Sequence, residues 1–162
     1  MHFQSRIRTE DPAYADNAAA MQALLDQLRE LEARPVALSE QKRDRFEKRG
    51  QISPRERLAR LLDPGTPFLS LHTLAGYLVD TSNPEKSVPG SSLVAGIGYI
   101  SGARCMIWSD DSGIKAGAMG AKGLEAGLSL QKLALRHKLP FVHLVESAGA
   151  DLTNYKVEMW AM

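Results

Sequence analysis

The chain has 162 residues and a formal net charge of +1, enough for one domain with a proper core and too nearly neutral for a global field that would recruit nucleic acid or an acidic membrane. Hydrophobic residues at 44% and charged residues at 24% match an ordinary soluble composition. The single cysteine, Cys105, cannot close an internal disulfide; with no bilayer-length apolar run and no secretory signal at the N-terminus, a cytoplasmic or matrix-like compartment is expected.

In chain order, the first predicted element is a helix over Asn17 to Ala33. Asp16 is its cap, Pro35 its stop, and Met21, Leu24, Leu25, Leu28 and Leu31 form one apolar face. A second, highly charged helical segment is expected from Ser39 to Lys48, ending at Gly50. Basic residues crowd positions 42 to 60, from Lys42 through Arg45, Arg55 and Arg57 to Arg60. Their interspersed carboxylates read as a solvated helical face. Ser53-Pro54-Arg55-Glu56 is a capping box with proline at the first helical position, and Leu58, Leu61 and Leu62 give its helix an apolar side. Asp63-Pro64-Gly65 breaks that helix.

Residues Leu71 to Ser91 read as a loop with at most one weak strand or helical turn. Leu93 to Ile100 and Arg104 to Trp108 then read as two strands joined through Ser101-Gly102-Ala103, a hairpin. Asp110-Asp111 is a paired-carboxylate candidate that a solvated turn after a strand also explains. Gly113 to Gly127 is glycine-rich and leads into a helix through Leu128 to His137, followed by a strand at Phe141 to Val145. This β-β-α-β order implies a layered α/β domain preceded by a helical arm. The last residues, 157–162, are apolar-rich and lack a capping or polar tail, which predicts a boundary cut through an element.

The most informative stretch is Leu139 to Ala150. An apolar, β-branched run ends in Ser147-Ala148-Gly149-Ala150, and small residues at such a turn are expected to leave backbone N–H groups uncovered, as an oxyanion hole requires. The glycines at 113–127 lack the spacing and the lysine of a phosphate loop; they permit close approach either between packed elements or to a ligand. Ser147 lacks the glycine of a nucleophile elbow, with Val145 in its place, and reads as a turn-capping hydroxyl. His143 reads as a half-buried strand histidine, and no set of side chains has metal-ligand spacing.

Three ordered stretches carry a family resemblance. Arg49 to Phe68 resembles the RGK-x-x-x-RER-x-x-x-LLDPGSPF signature of biotin-dependent acyl-CoA carboxylase carboxyltransferase (β) subunits. Ile114-Lys115-Ala116-Gly117 resembles their VKGG step, and Leu139 to Leu152 resembles LP-x-x-x-LVDSGGANL. The resemblance implies a crotonase-like (ClpP/crotonase) superhelix of β-β-α units, with a helical arm over residues 1–65 and a truncated carboxyltransferase N-domain over 66–162 whose C-domain is absent. It implies transfer of a carboxyl group from carboxybiotin, on a separate carrier domain, to an acyl-CoA. Biotin N1 takes the substrate proton, so no side-chain base and no metal are expected. The backbone amides of Ala148 and Gly149 fall at the oxyanion hole for biotin, and Ser147, Ala150, Gly117, Ala118, Lys115 and Lys122 at cofactor-binding positions. The implied partners are a biotin carboxylase/biotin carrier (α) subunit and further β subunits in a homo-oligomer, in the cytoplasm or a mitochondrial matrix.

Departures from the pattern are few. Ala148 stands where the family has glycine, which preserves a donor only at ordinary φ, and Glu146 stands for aspartate. Ser129 occupies a region where the family often has arginine, which leaves CoA phosphate contacts to Lys115, Lys122, Lys132 or another chain. The Ala-Asp-Leu ending is closer to the methylcrotonyl- and geranyl-CoA carboxylases, implying a branched or unsaturated acyl group. Two other activities fit the same resemblance, acyl-CoA decarboxylation or hydration, and non-catalytic acyl-CoA binding as a scaffold.

Overall fold

The computed structural model describes residues 5, 7–79 and 81–149; Ala150 and the apolar stretch at 157–162 lie outside them. The expected β-β-α-β order is present, with one further short strand before it. β1 (Leu69–Leu71), β2 (Leu93–Ile100), β3 (Ala103–Asp110) and β4 (Phe141–Leu144) lie side by side in that order. β2 is antiparallel to β1 and β3, whereas β4 returns parallel to β3 after the crossover helix Ala121–His137. The β2–β3 loop has two residues rather than three. Ser101 and Gly102 both take positive φ, 51° and 78°, and Ala103 already pairs with Ile100, as the right-handed twist of a tight hairpin demands.

β3 is buried on both faces, so its side chains separate two cores. Met106 and Trp108 face the crossover helix, meeting Ala126, Leu130 and Ala134. Cys105 and Ile107 face Leu58 and Leu62 near the end of the capping-box helix. That helix spans Pro54–Leu61, with the Ser53 hydroxyl accepting from the Glu56 amide over 3.2 Å. Beyond its end, the Asp63 carboxylate accepts from the Ser101 and Gly102 amides, each at 2.7 Å, and so clamps the hairpin.

Three sequence expectations are corrected here. The first helix, α1, runs from Pro12 to Glu40 and is capped by Asp11, not Asp16, because Asp11 and Pro12 supply a cap and a first helical residue with preset φ. Pro35 sits inside it rather than stopping it. The missing N–H and ring clash cost about 3 kcal/mol, and the turn beyond is anchored by Ser39, whose hydroxyl donates to Asp111 over 2.6 Å. α2 is short, Arg43–Glu47, and Phe46 on it is buried. The apolar face at Met21, Leu24 and Leu25 is exposed among the described residues.

The crossover helix is α4, α3 being Pro54–Leu61, and it begins at Ala121, inside the glycine-rich run. Gly123 and Gly127 lie within it because that side of the helix presses on β3 and its flank: a Cβ at Gly127 would fall 2.2 Å from the Trp108 ring. Gly127→Ala gains helix propensity but overpacks a buried indole. It is expected to lose about 1–2 kcal/mol net, read as a lower midpoint in thermal or urea unfolding.

Candidate functional site

Two loops meet where β3 and β4 end. The first follows β3: Lys115, Ala116 and Gly117 have φ of 46°, 53° and 71°, a left-handed run that disfavours side chains at the first two positions. Gly117 is required by space as well, since a Cβ there would lie 2.3 Å from the Glu146 carbonyl oxygen. The second loop follows β4, and three hydrogen bonds lace it to the first. The Ala148 amide donates to the Ala116 carbonyl at 3.1 Å, the Ser147 hydroxyl to the Gly117 carbonyl at 2.6 Å, and the Met119 amide to the Gly149 carbonyl at 2.9 Å.

The expectation of uncovered amides is therefore corrected. Ala148 N–H is taken by Ala116, and Gly149 N–H donates to the Ser147 hydroxyl at 3.0 Å. The two bonds differ in kind. The first ties the two loops together, whereas the second is a local, exposed contact within the turn. Ala148 has no positive φ, so its methyl is tolerated, and Gly149, at φ 95°, has open space where a Cβ would stand.

Beneath the turn lies a set of buried carboxylates. Asp110 and Asp111 are 2% and 0% exposed, so the solvated-turn reading of this pair is corrected: tertiary donors supply what water would have. Asp110 Oδ1 accepts from Trp108 Nε1 at 2.8 Å and lies 3.2 Å from His143 Nε2; its Oδ2 accepts from the Glu146 amide at 3.0 Å. His143 is half-buried as expected, stacked on Trp108 with ring centroids 4.3 Å apart. Asp111 accepts from Ser39 and, at 3.1 Å, from the Gly113 amide, and Arg55 Nε stands 3.4 Å from its other oxygen. Burial draws the Arg55 guanidinium below its ordinary pKa, and the Asp111 carboxylate opposes that shift.

The solvated reading of the basic run is corrected at three positions. Arg45 donates to the Ser112 carbonyl at 2.8 Å, Arg55 pairs with Asp111, and Arg57 pairs with the Glu146 carboxylate. The capping-box helix thus grips both loops through two of its arginines.

Of the residues singled out from sequence, Lys115, Gly117, Ala118, Ser147, Ala148 and Gly149 belong to the laced loops. Lys122 does not. It pairs with Glu125 at 2.7 Å and lines an open cleft of about 320 Å³ with His72, Ala75, Ala126 and Ser129. His72 takes a φ of 58°, and its Nε2 is buried with no hydrogen-bond partner among the described residues. Arg55 and Arg57 escaped sequence reasoning as site-forming groups, their one available signal being their position inside the first motif; Asp110 stood out only as half of a carboxylate pair, with nothing in the sequence to name its donors.

Residues 45–158 match the carboxyl transferase domain family. The chain is 39% identical over 155 residues to the probable biotin-dependent acyl-coenzyme A carboxylase beta2 subunit of Mycobacterium tuberculosis, covering 95% of this chain and 28% of that protein. It is 38% identical over 143 residues to the 3-methylcrotonyl-coenzyme A carboxylase beta1 subunit of the same organism, covering 87% of this chain and 26% of that one. Its backbone superposes on the crystal structure of the geranyl-CoA carboxylase β subunit of P. aeruginosa with a TM-score of 0.87 at 44% identity, covering 98% of this chain and 29% of that one. The chain therefore spans between a quarter and a third of the length of these relatives.

Proposed function

Since the chain belongs to the carboxyl transferase domain family and has its crotonase-like α/β fold, we propose that it supplies the N-terminal part of a carboxyltransferase that moves a carboxyl group from carboxybiotin to an acyl-CoA. The observation that carries this is the lacing of the Lys115–Met119 and Glu146–Gly149 loops, which brings two motifs of the resemblance into one surface. The biotin, borne by a carrier partner, supplies the activated carboxyl group and the nitrogen that accepts the substrate proton. The chain's own contribution is electrostatic. Gly149 offers an exposed N–H whose present acceptor is a neutral hydroxyl, and an oxygen gaining negative charge competes favourably for it, since charge-assisted bonds are roughly twice as strong.

Ala148, Ser147 and Gly117 hold that amide in place, and Ala118 continues the same surface. Ala150, the remaining expected position, lies outside the described residues. α4 is preceded by Gly120, whose capping position carries no side chain, so the helix's positive end stands next to the Met119–Gly149 bond and favours the same charge. Lys115 and Lys122 are proposed to meet the CoA phosphates. The likeness to subunits named for methylcrotonyl- and geranyl-CoA supports a branched or unsaturated acyl group. A biotin carboxylase/carrier (α) subunit, further β subunits and a cytoplasmic or matrix location complete the proposal.

The test uses the complete subunit assembled with its biotin-bearing partner. Labelled bicarbonate, ATP and acyl-CoAs of graded size are expected to give biotin-dependent fixation of label, faster on branched unsaturated acyl groups than on propionyl-CoA. Release of CO2 from a carboxyacyl-CoA without fixation would identify a decarboxylase instead, and tight acyl-CoA binding without turnover a scaffold.

A further inference from the structure

Glu146, the first residue after β4 and its single following position, is held at both ends. Its backbone amide donates to the Asp110 carboxylate, and its side chain pairs with Arg57 from α3. Three residues on, Gly149 carries the amide assigned above to the developing charge. The placement of that amide therefore depends on where Glu146 is fixed.

We propose that Asp110 is a positioning residue for the Glu146–Gly149 turn, acting on the reaction through the Glu146 amide; the catalytic part of this rests on the function proposed above. A carboxylate 2% exposed is unfavourable to bury unless donors surround it. Asp110 collects them from three groups: the Trp108 indole on its own strand β3, the His143 imidazole on β4 and the Glu146 backbone amide in the turn. Because a carboxylate only accepts, its bond to His143 requires the proton on Nε2. The imidazole, stacked on Trp108, then fixes the end of β4 against β3. Hairpin and crossover register alone would align the strands, but neither contacts the turn. A carboxylate bridging strand ends and turn does, and it turns strand pairing into a defined position for a catalytic amide. Arg57 secures the same residue from the opposite side of the sheet, where α3 packs.

Asp110→Asn tests this, because an amide group cannot accept at both of its ends: either Trp108 or the Glu146 amide loses its acceptor. In the complete subunit, hydrogen exchange at the Glu146–Gly149 amides is expected to speed up. Carboxyl transfer kcat should fall about 10- to 100-fold, as a displacement of order 1 Å does, while KM for acyl-CoA stays within about two-fold. Arg57→Gln, at a partly exposed position, should give the same pattern at smaller amplitude and serves if Asp110→Asn does not fold. Unaltered exchange at the turn in both variants would overturn the proposal, as would altered exchange with unchanged kcat, or a loss of rate that only tracks the unfolded fraction. A parent subunit that transfers no carboxyl group would instead defeat the function proposed above, and the exchange measurement would still decide whether Asp110 positions the turn.

Discussion

Asp111→Ala is expected to lower the folding stability by about 3–5 kcal/mol, the range for removing one partner of a buried ion pair, with a fall in Tm of roughly 2–4 °C per kcal/mol for a chain of this size. The carboxylate is fully buried and serves three parts of the chain: Ser39 at the end of α1, the Gly113 amide, and Arg55 on α3. Its removal leaves the Arg55 guanidinium, whose pKa burial already lowers, with its charge uncompensated. Arg55 retains some access to water, with 26% of its side chain exposed, which directs the expectation to the lower half of the range. Urea unfolding of the variant measures it. Adding Arg55→Leu should return part of the loss, because the second change removes the orphaned charge. A single-variant effect below about 1 kcal/mol, the level of an exposed pair, would mean that Asp111 does not anchor the helical segment.

Gly149→Pro should reduce carboxyl transfer in the complete subunit by about 10²- to 10³-fold, the usual consequence of removing one oxyanion donor. Proline has no N–H, but its φ near −65° also conflicts with the observed 95°, so the variant alone does not separate donor from conformation. Gly149→Ala makes the separation. Alanine keeps the N–H and meets open space, and its strain in a left-handed backbone is about 1–2 kcal/mol. Steady-state rates of the two variants are therefore expected to differ, with alanine within about ten-fold of the parent. Equal losses would assign the effect to backbone shape, and full activity in a folded proline variant would exclude this amide as the donor.

The capping box at Ser53, the two-strand hairpin and the strand after Pro140 were legible because each is written in neighbouring residues. Periodicity and turn chemistry report local competition for hydrogen bonds. The same rules misplaced the ends of α1 and α4. Pro35 and Gly127 are poor helix residues by propensity, yet the helix continues through both, with Ser39 beyond Pro35 bonded to Asp111 and Gly127 set against Trp108.

Three motifs carried the family resemblance, and periodicity and turn residues carried the α/β order, because those features reside in short runs of residues. Only the folded chain decided how the loops are held. The Ser39–Asp111 and Arg57–Glu146 contacts join residues 72 and 89 positions apart, a separation at which no local pattern records a partner. Whether a carboxylate meets water or a guanidinium, and whether an amide is spent on its own chain, is settled when these segments pack and water leaves the space between them.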